Sequence, residues 1–228
     1  MRWVARAAAL ILLLFVAYEA WIFAHVWYWV DHNPASTAFI DARLAALKGK
    51  RSDDARIKQQ WVPYPRISIH LKRALIAAED AKFLQHEGFD WEGIEHALEK
   101  NLKRGKVVAG GSTISQQLAK NLFLSGERNA LRKAQEAIIT LMLESVMSKR
   151  RILEIYLNVI EWGEGVFGAE AAARHYFGTS AAELDQAQAA RLAAMTPRPR
   201  WYDHHRNSRA LARKTEIILA RMGEARIP

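Results

Sequence analysis

Cysteine is absent from the 228 residues, so disulfide bonds and thiolate metal sites are excluded. The pattern G-x-x-x-x-G-K-[ST] is missing as well, which excludes a P-loop. No low-complexity tract or internal repeat occurs. Proline and glycine are sparse, with 6 and 12 residues, and beyond residue 56 they separate one helical pattern from the next. The sequence therefore predicts an almost entirely helical protein.

Acidic residues are outnumbered, because 24 aspartates and glutamates face 33 lysines and arginines, for a net charge of +9. This excess favours an anionic partner and leaves nucleic acid, a membrane surface and a phosphorylated substrate open. The length of 228 residues indicates one domain of catalytic size with an appendage.

The appendage is an apolar N-terminal segment. Residues 7–30 would form a helix of roughly 36 Å, long enough to cross a bilayer with some tilt. Arg2 and Arg6 precede it and Asp31 follows, so the positive-inside rule places residues 1–6 in the cytoplasm. Residues 31–56 then form a juxtamembrane connector, and residues 57–228 form an extracytoplasmic domain. A cleaved signal peptide is the alternative, but its apolar core is typically about 7 to 15 residues.

A carboxylate interrupts an apolar stripe in the first helical pattern of this domain. The residues spaced by four are Leu71, Leu75, Glu79 and Phe83. A lone buried charge is costly, so Glu79 is either paired or functional. Lys72 and Lys82 are the candidate structural partners, and Asp80 is predicted to face elsewhere as a solvated or helix-pairing residue. In the next helix, Asp90 is the predicted N-cap, with Ile94, Leu98 and Leu102 facing inward.

The stretch 110–121, GGSTISQQLAKN, joins a glycine-rich lead to a helix start. Thr113 and Gln116 have the spacing of a capping box, and free N–H groups at a helix start favour an anion such as phosphate. Lys120 follows one turn after Gln116. An ordinary amphipathic helix is the alternative. The loop 103–111 is predicted to be flexible without ligand, because it pairs glycines with exposed lysines.

A basic cluster follows at Arg128, Arg132 and Lys133, with Glu136 one turn after Arg132. An intrahelical ion pair is one interpretation. The other is a carboxylate beside cations that bind phosphate oxygens.

These segments together resemble the bacterial peptidoglycan glycosyltransferases of the lysozyme-like transglycosylase family, in the form of the monofunctional Gram-negative enzymes. The similarity runs from about residue 61 to 202. The blocks that carry it are AAEDAKFLQHEGFDW, GGSTISQQLAKN, RKAQE and SKRRILEIYLNVIEWGEGVFGAEAAARHYFG, in the family's order. No S-x-x-K motif occurs, so no penicillin-binding domain is expected.

The resemblance implies a mainly α, lysozyme-like domain that polymerises lipid II by inverting transfer of the growing chain to the 4-hydroxyl of an acceptor N-acetylglucosamine. Glu79 matches the general base, and Glu136 matches a second carboxylate that arranges the donor pyrophosphate. Glu136 would also hold Mg²⁺ or Mn²⁺ if a divalent cation takes part. The positions expected to neutralise the pyrophosphate are Lys120, Arg128, Arg132 and Lys133. Those expected to line the cleft are Ser112, Gln116, Gln117 and Asn121, with Phe83 and Tyr156 as walls.

The implied partners are lipid II, the nascent glycan strand, membrane lipid and cell-wall synthesis or division proteins, at the inner membrane with the domain in the periplasm. Two departures stand out: Gln135 occupies a position where several relatives carry lysine, and the closing PRPRWYDHHR lacks a usual final proline. The competing hypotheses are a lytic enzyme that uses two carboxylates and a noncatalytic scaffold. Nucleic-acid binding is disfavoured by the expected location.

Overall fold

The computed structural model describes residues 1–49, 56–106, 110–124 and 129–228. It is mainly helical, as predicted. The helices are α1 Arg2–Tyr28, α2 Ala38–Gly49, α3 Ile69–Glu79, α4 Trp91–Arg104, α5 Ile114–Phe123, α6 Ala130–Val146, α7 Lys149–Val159, α8 Ala169–Phe177, α9 Gln186–Met195, α10 Pro199–His204 and α11 Arg209–Arg221. The strands are β1 Lys58–Gln59, β2 Glu161–Gly163 and β3 Val166–Phe167. Residues 107–109 of the loop predicted to be flexible lie outside the described residues.

The N-terminal helix α1 is docked on the domain over part of its length. Among the described residues it is the one helix long and apolar enough to cross a bilayer. Its first half is exposed, but Ile22 and Val26 are fully buried, and the helix packs against α6. The rings of Trp21 and Trp29 contact Phe123 at the end of α5. Helix α1 is therefore consistent with a membrane anchor that also contacts the body of the protein.

Most of the remaining helices begin where a polar side chain accepts a hydrogen bond from a free N–H group of the first turn, whereas α8 and α10 have no such cap. The N-cap residues are Ser68, Asp90, Thr113, Asn129, Ser148, Asp185 and Ser208. Helices α3, α9 and α11 pack together, while α5 packs against α2, α6 and α7. The apolar stripe of α5, formed by Ile114, Leu118 and Leu122, is buried. Helix α5 is thus held on several sides, and its polar residues are fixed in place.

Two predicted stripes are wrong in part. Helix α3 ends at Glu79, so Phe83 lies in the following turn rather than on the same helical face. In α4, Asp90 is the N-cap as predicted, but Leu98 and Leu102 are 58% and 72% exposed. Periodicity shows which side of a helix is apolar, but it shows neither where the helix stops nor whether another element covers that side.

A small sheet positions the segment after α7. Its order is β1, β3, β2, with β1 parallel and β2 antiparallel to β3. Gly165 turns between β2 and β3 with a positive φ of 70°. Gly168 opens α8, and a Cβ there would lie 2.7 Å from the carbonyl oxygen of Asn158, so a side chain would clash with the backbone. The sheet places the buried Glu161 beside α10.

Candidate active site

A cavity of about 910 Å³ collects residues from α2, α5, α6, α7, β2 and α10. Its volume suits a ligand larger than a metal ion or a single phosphate. The predicted cleft residues that line it are Ser112, Gln116, Gln117, Lys120, Asn121, Arg132, Lys133, Glu136 and Tyr156. The structure therefore brings nine of the predicted site residues to one cavity.

Glu79 meets this cavity through two neutral hydrogen-bond donors. Gln117 Nε2 donates to Glu79 Oε2 at 2.7 Å, and the hydroxyl of Thr196 donates to Oε1. Both donors line the cavity, whereas Glu79 itself borders a smaller cavity of about 180 Å³ between α3, α9 and α11. The carboxylate is half-buried at the C-terminal end of α3. It thus lies between the two cavities, and none of the lysines and arginines that the structure describes forms a salt bridge with it.

The lysines proposed as structural partners of Glu79 are engaged elsewhere. Lys72 is buried with its ammonium 4.0 Å from the ring centre of Tyr64, and burial lowers the pKa of this lysine. Lys82 contacts Glu92. The ion-pair explanation for Glu79 is therefore wrong.

Tyr156 extends the network behind Glu79. Its hydroxyl donates to Gln117 Oε1 at 2.7 Å, which leaves the amide nitrogen of Gln117 to face Glu79. Burial raises the pKa of Tyr156 well above its ordinary value, and the nearby charges of Glu79 and Asp80 raise it further. The tyrosine therefore remains a proton donor, and this fixes the orientation of the glutamine amide.

The start of α5 holds an internal anion, so the predicted phosphate site there is wrong. The capping box forms as predicted: Thr113 Oγ1 accepts from Gln116 N, and Gln116 Oε1 accepts from Thr113 N. The N–H of Ile114 donates to Asp80 Oδ2 at 3.0 Å. The buried Asp80 also contacts His86 Nε2 at 2.9 Å. Asp80 is thus neither solvated nor pointing away, because its carboxylate takes the place that a phosphate would occupy.

Of the two glycines before α5, Gly111 is needed for space rather than for conformation. Neither Gly110 nor Gly111 has a positive φ. A Cβ at Gly111 would lie 3.0 Å from the Cα of Ile94, so a side chain would push α4 away from α5.

A cationic cluster lies on α5 and α6. Glu136 is buried, and its oxygens contact Arg132 Nη1 at 3.0 Å and Lys133 Nζ. The predicted intrahelical ion pair between Arg132 and Glu136 is therefore present. The same contacts also place the carboxylate beside cations, as the second interpretation expected. Arg128 lies outside the described residues. With Lys120, the described part of the cluster has three cations around one carboxylate.

Lys120 is partly buried within this cluster, whereas Lys133 is half-exposed. Burial lowers the pKa of Lys120, the charge of Glu136 opposes this shift, and the charge of Arg132 adds to it. Such a group gives up its proton at lower pH than an exposed lysine. An anionic ligand would favour its charged form.

The residues around Glu136 do not fit a metal held by the protein. Both carboxylate oxygens already contact cations. Across the described ranges, no three His, Asp or Glu side chains come together as a metal site. The Mg²⁺ or Mn²⁺ at Glu136 stays a prediction and enters no step below.

Several positions differ from expectation. Phe83 is fully buried with Lys149 over its ring, so it supports the core and does not form a cavity wall. Gln135 donates to Glu19 of α1 at 3.1 Å and so faces the N-terminal helix. Thr196 was not identified from sequence, and its position just before Pro197 at the end of a helix was the available signal.

Comparison with known proteins agrees with this geometry. The family model described as Transglycosylase matches residues 47–223. The chain belongs to the transglycosylase family. The relatives include a protein from Methylobacillus flagellatus, 66% identical over 98% of this chain and 97% of the relative, and one from Laribacter hongkongensis, 62% identical over the full length of both. A third, from Dechloromonas aromatica, is 61% identical over 100% of this chain and 98% of the relative. All three are named biosynthetic peptidoglycan transglycosylase.

The transglycosylase assignment confirms the family and the lysozyme-like, mainly α fold expected from the sequence blocks. The family match begins inside α2, within the segment interpreted as a juxtamembrane connector. In the structure α2 packs against α5, and its Phe39 lines the large cavity. The connector is therefore also a part of the cavity wall.

Proposed function

We propose that the protein is a peptidoglycan glycosyltransferase that polymerises lipid II into glycan strands. The observation that carries the proposal is a cation-lined cavity joined to Glu79 by Gln117 and Thr196, in a chain of the transglycosylase family. A donor linked to a lipid pyrophosphate needs cations at its leaving group and a base at the attacking hydroxyl. Lys120, Arg132 and Lys133 would supply the cations, and Glu79 would supply the base.

In the proposed step, the 4-hydroxyl oxygen of the acceptor N-acetylglucosamine attacks C1 of the donor sugar. The bond from C1 to the pyrophosphate oxygen breaks, and both electrons leave with the lipid pyrophosphate. Glu79 accepts the hydroxyl proton. Attack from the opposite face inverts the configuration at C1, and the product strand is one disaccharide longer.

Glu79 suits this role because its hydrogen-bond donors are neutral. The amide of Gln117 and the hydroxyl of Thr196 orient the two oxygens without cancelling the negative charge. Tyr156 fixes the amide of Gln117 in turn. A carboxylate held in one orientation needs little rearrangement to receive the proton.

Lys120, Arg132 and Lys133 would neutralise the leaving pyrophosphate, which is the electrostatic part of the catalysis. Glu136 would hold Arg132 and Lys133 so that both point at the same anion. Arg128, from the same sequence cluster, would join them.

Location follows from the same proposal. Helix α1 would cross the inner membrane with residues 1–6 in the cytoplasm, and the domain of residues 57–228 would work in the periplasm, where cell-wall synthesis or division proteins could meet it. Because the chain has no cysteine, single cysteines report on orientation directly. In intact cells, a membrane-impermeant maleimide should label Asn207→Cys and not Arg2→Cys; the reverse pattern would refute this orientation.

The direct test of function is incubation of the full-length protein, in detergent, with purified lipid II. We expect polymeric glycan that a muramidase digests, and no product from Glu79→Gln protein that still unfolds cooperatively. Preformed glycan strands are the second substrate. Cleavage of those strands without polymerisation would overturn the proposal in favour of a lytic enzyme, and neither activity would favour a scaffold.

A further inference from the structure

Glu79 lies between two cavities, and the proposed reaction uses only the larger one. The smaller cavity, of about 180 Å³, lies between α3, α9 and α11, and Glu79 is part of its lining. Small or apolar side chains form most of its walls: Ala77, Ala78, Ala193, Ala194, Ile217 and Ile218. Gln117 and Thr196, the hydrogen-bond donors to Glu79, line the larger cavity instead. Glu79 can therefore be reached from two cavities.

The smaller cavity is closed at one end and open to solvent at the other. Its inner wall is formed by the buried Ala194 of α9, whereas Ala78 and Ile217 are exposed. The volume holds several water molecules, each of which takes roughly 30 Å³ in the liquid. Water in a protein cavity also needs polar partners. Glu79, Lys214 and Arg221 supply them, so the cavity can connect Glu79 to bulk water.

The proposed reaction leaves Glu79 protonated after every transfer, so the proton has to leave before the next one. Both lipid-linked sugars occupy the larger cavity at that moment, and the way out through that cavity is filled. An ionised carboxylate has about four lone-pair positions for hydrogen bonds. Gln117 and Thr196 each donate to one oxygen of Glu79. The remaining positions are available to water from the smaller cavity.

We propose that the smaller cavity is the proton exit of Glu79, an inference that rests on the proposed function. In each cycle the O–H bond of the protonated carboxyl breaks, and the proton passes to a water molecule in the cavity. The carboxylate is thereby restored for the next acceptor hydroxyl. Lys214 and the exposed Arg221 give the cavity positive charge. This charge attracts anions, so phosphate or bicarbonate from solution is the expected final proton acceptor.

The experiment separates the first transfer from the later ones, with full-length protein in detergent. Ala194→Val fills part of the cavity with methyl groups, whereas Ala194→Thr adds a similar volume but keeps a hydroxyl that can relay a proton. A single-turnover coupling of lipid II starts with Glu79 deprotonated, so both variants should stay within about twofold of the parent. In steady-state polymerisation, kcat should fall by about three- to tenfold for Ala194→Val and by less than about twofold for Ala194→Thr, because a step after the chemistry becomes limiting.

Further variants keep the test decisive. If the buried position on α9 does not tolerate a larger side chain, Ala78→Val and Ala78→Thr repeat the comparison at the exposed end of the cavity. Ala220→Val, exposed on α11 outside this lining, should change neither rate. Equal losses in the valine and threonine variants, a slower first transfer, or no loss at all would overturn the proton exit. Failure of the parent protein to couple lipid II would instead count against the proposed function itself.

Discussion

The two glutamates expected to be functional have opposite surroundings. Glu79 is half-buried and is held by the neutral groups of Gln117 and Thr196. Glu136 is almost fully buried and is held by the cations Arg132 and Lys133. A carboxylate between neutral donors keeps its charge for chemistry. One between two cations cannot act freely as a base, but it can keep those cations together and aimed at a common point.

This contrast is the reason we propose proton transfer for Glu79 and cation placement for Glu136, and single substitutions can test each role separately. The largest effect should come from Glu79→Gln. The amide has the shape of the carboxylate but cannot accept the proton, so the turnover rate with lipid II should fall by about a thousandfold, within the usual range for loss of a general base. Initial rates of polymerisation measure it, with the exposed Glu95→Gln on α4 as the matched control.

Glu136→Gln should act on the donor more than on the chemistry. Two opposed free-energy contributions decide whether this substitution strengthens or weakens donor binding. Removing a negative charge beside half-exposed Lys133 helps an anion by about 1 kcal/mol in water, and salt screens this gain. Ordering two released side chains costs about 1 to 3 kcal/mol. We therefore expect KM for lipid II to rise by about tenfold at high salt, and by less at low salt. If the ratio of the variant's KM to the parent's KM were the same at low and high salt, this prediction would be contradicted.

The alkaline limb of activity should depend on Lys120. Because burial lowers the pKa of Lys120, its charge is present below that pKa and is lost earlier, as pH rises, than the charge of an ordinary lysine. Arginine stays charged throughout, so Lys120→Arg should move the fall of kcat/KM to higher pH. A pH profile of kcat/KM tests this, with exposed Lys100→Arg as control. An unchanged limb would exclude Lys120 as its cause.

A smaller effect on activity is expected for Asp80→Asn. The variant replaces the anion at the start of α5 by a neutral group and weakens the contacts to Ile114 N–H and His86. We expect the free energy of unfolding to fall by about 2 kcal/mol, as for a partly buried charge at a helix terminus. Because α5 carries Gln117, activity should also fall several-fold. Urea unfolding measures the first effect, and unchanged stability would contradict it.

The sequence was sufficient where the information is local. Helix starts followed from single capping residues such as Thr113, and the cluster of Arg132, Lys133 and Glu136 lies within two turns of one helix. The family blocks then predicted that Glu79 is the general base, and this stays a prediction. What could not be predicted from the sequence at the site was mainly the contacts between segments that are far apart in the chain. Thr196 contacts Glu79 across 117 residues, and no local pattern marks that pairing.

The local sequence pattern also could not predict which of these side chains are buried. Asp80 was predicted to be a surface residue because aspartate is usually exposed. It is buried instead, because its carboxylate accepts a hydrogen bond from a free N–H group at the start of α5. Leu98 reads as core because it is apolar, yet the described structure shows it exposed on α4. Both outcomes depend on which element packs where, and that is set by the whole chain.

The division of labour between Glu79 and Glu136 is tested most directly by separating binding from turnover. Undecaprenyl pyrophosphate, which carries the leaving group but no sugar, can be titrated into the parent, Glu79→Gln and Glu136→Gln proteins in detergent at high salt. We expect Kd to stay within about twofold of the parent for Glu79→Gln, which has lost its turnover, and to rise by about tenfold for Glu136→Gln. Equal loss of affinity in both variants would contradict the assignment, because it would show that both carboxylates serve the same anion.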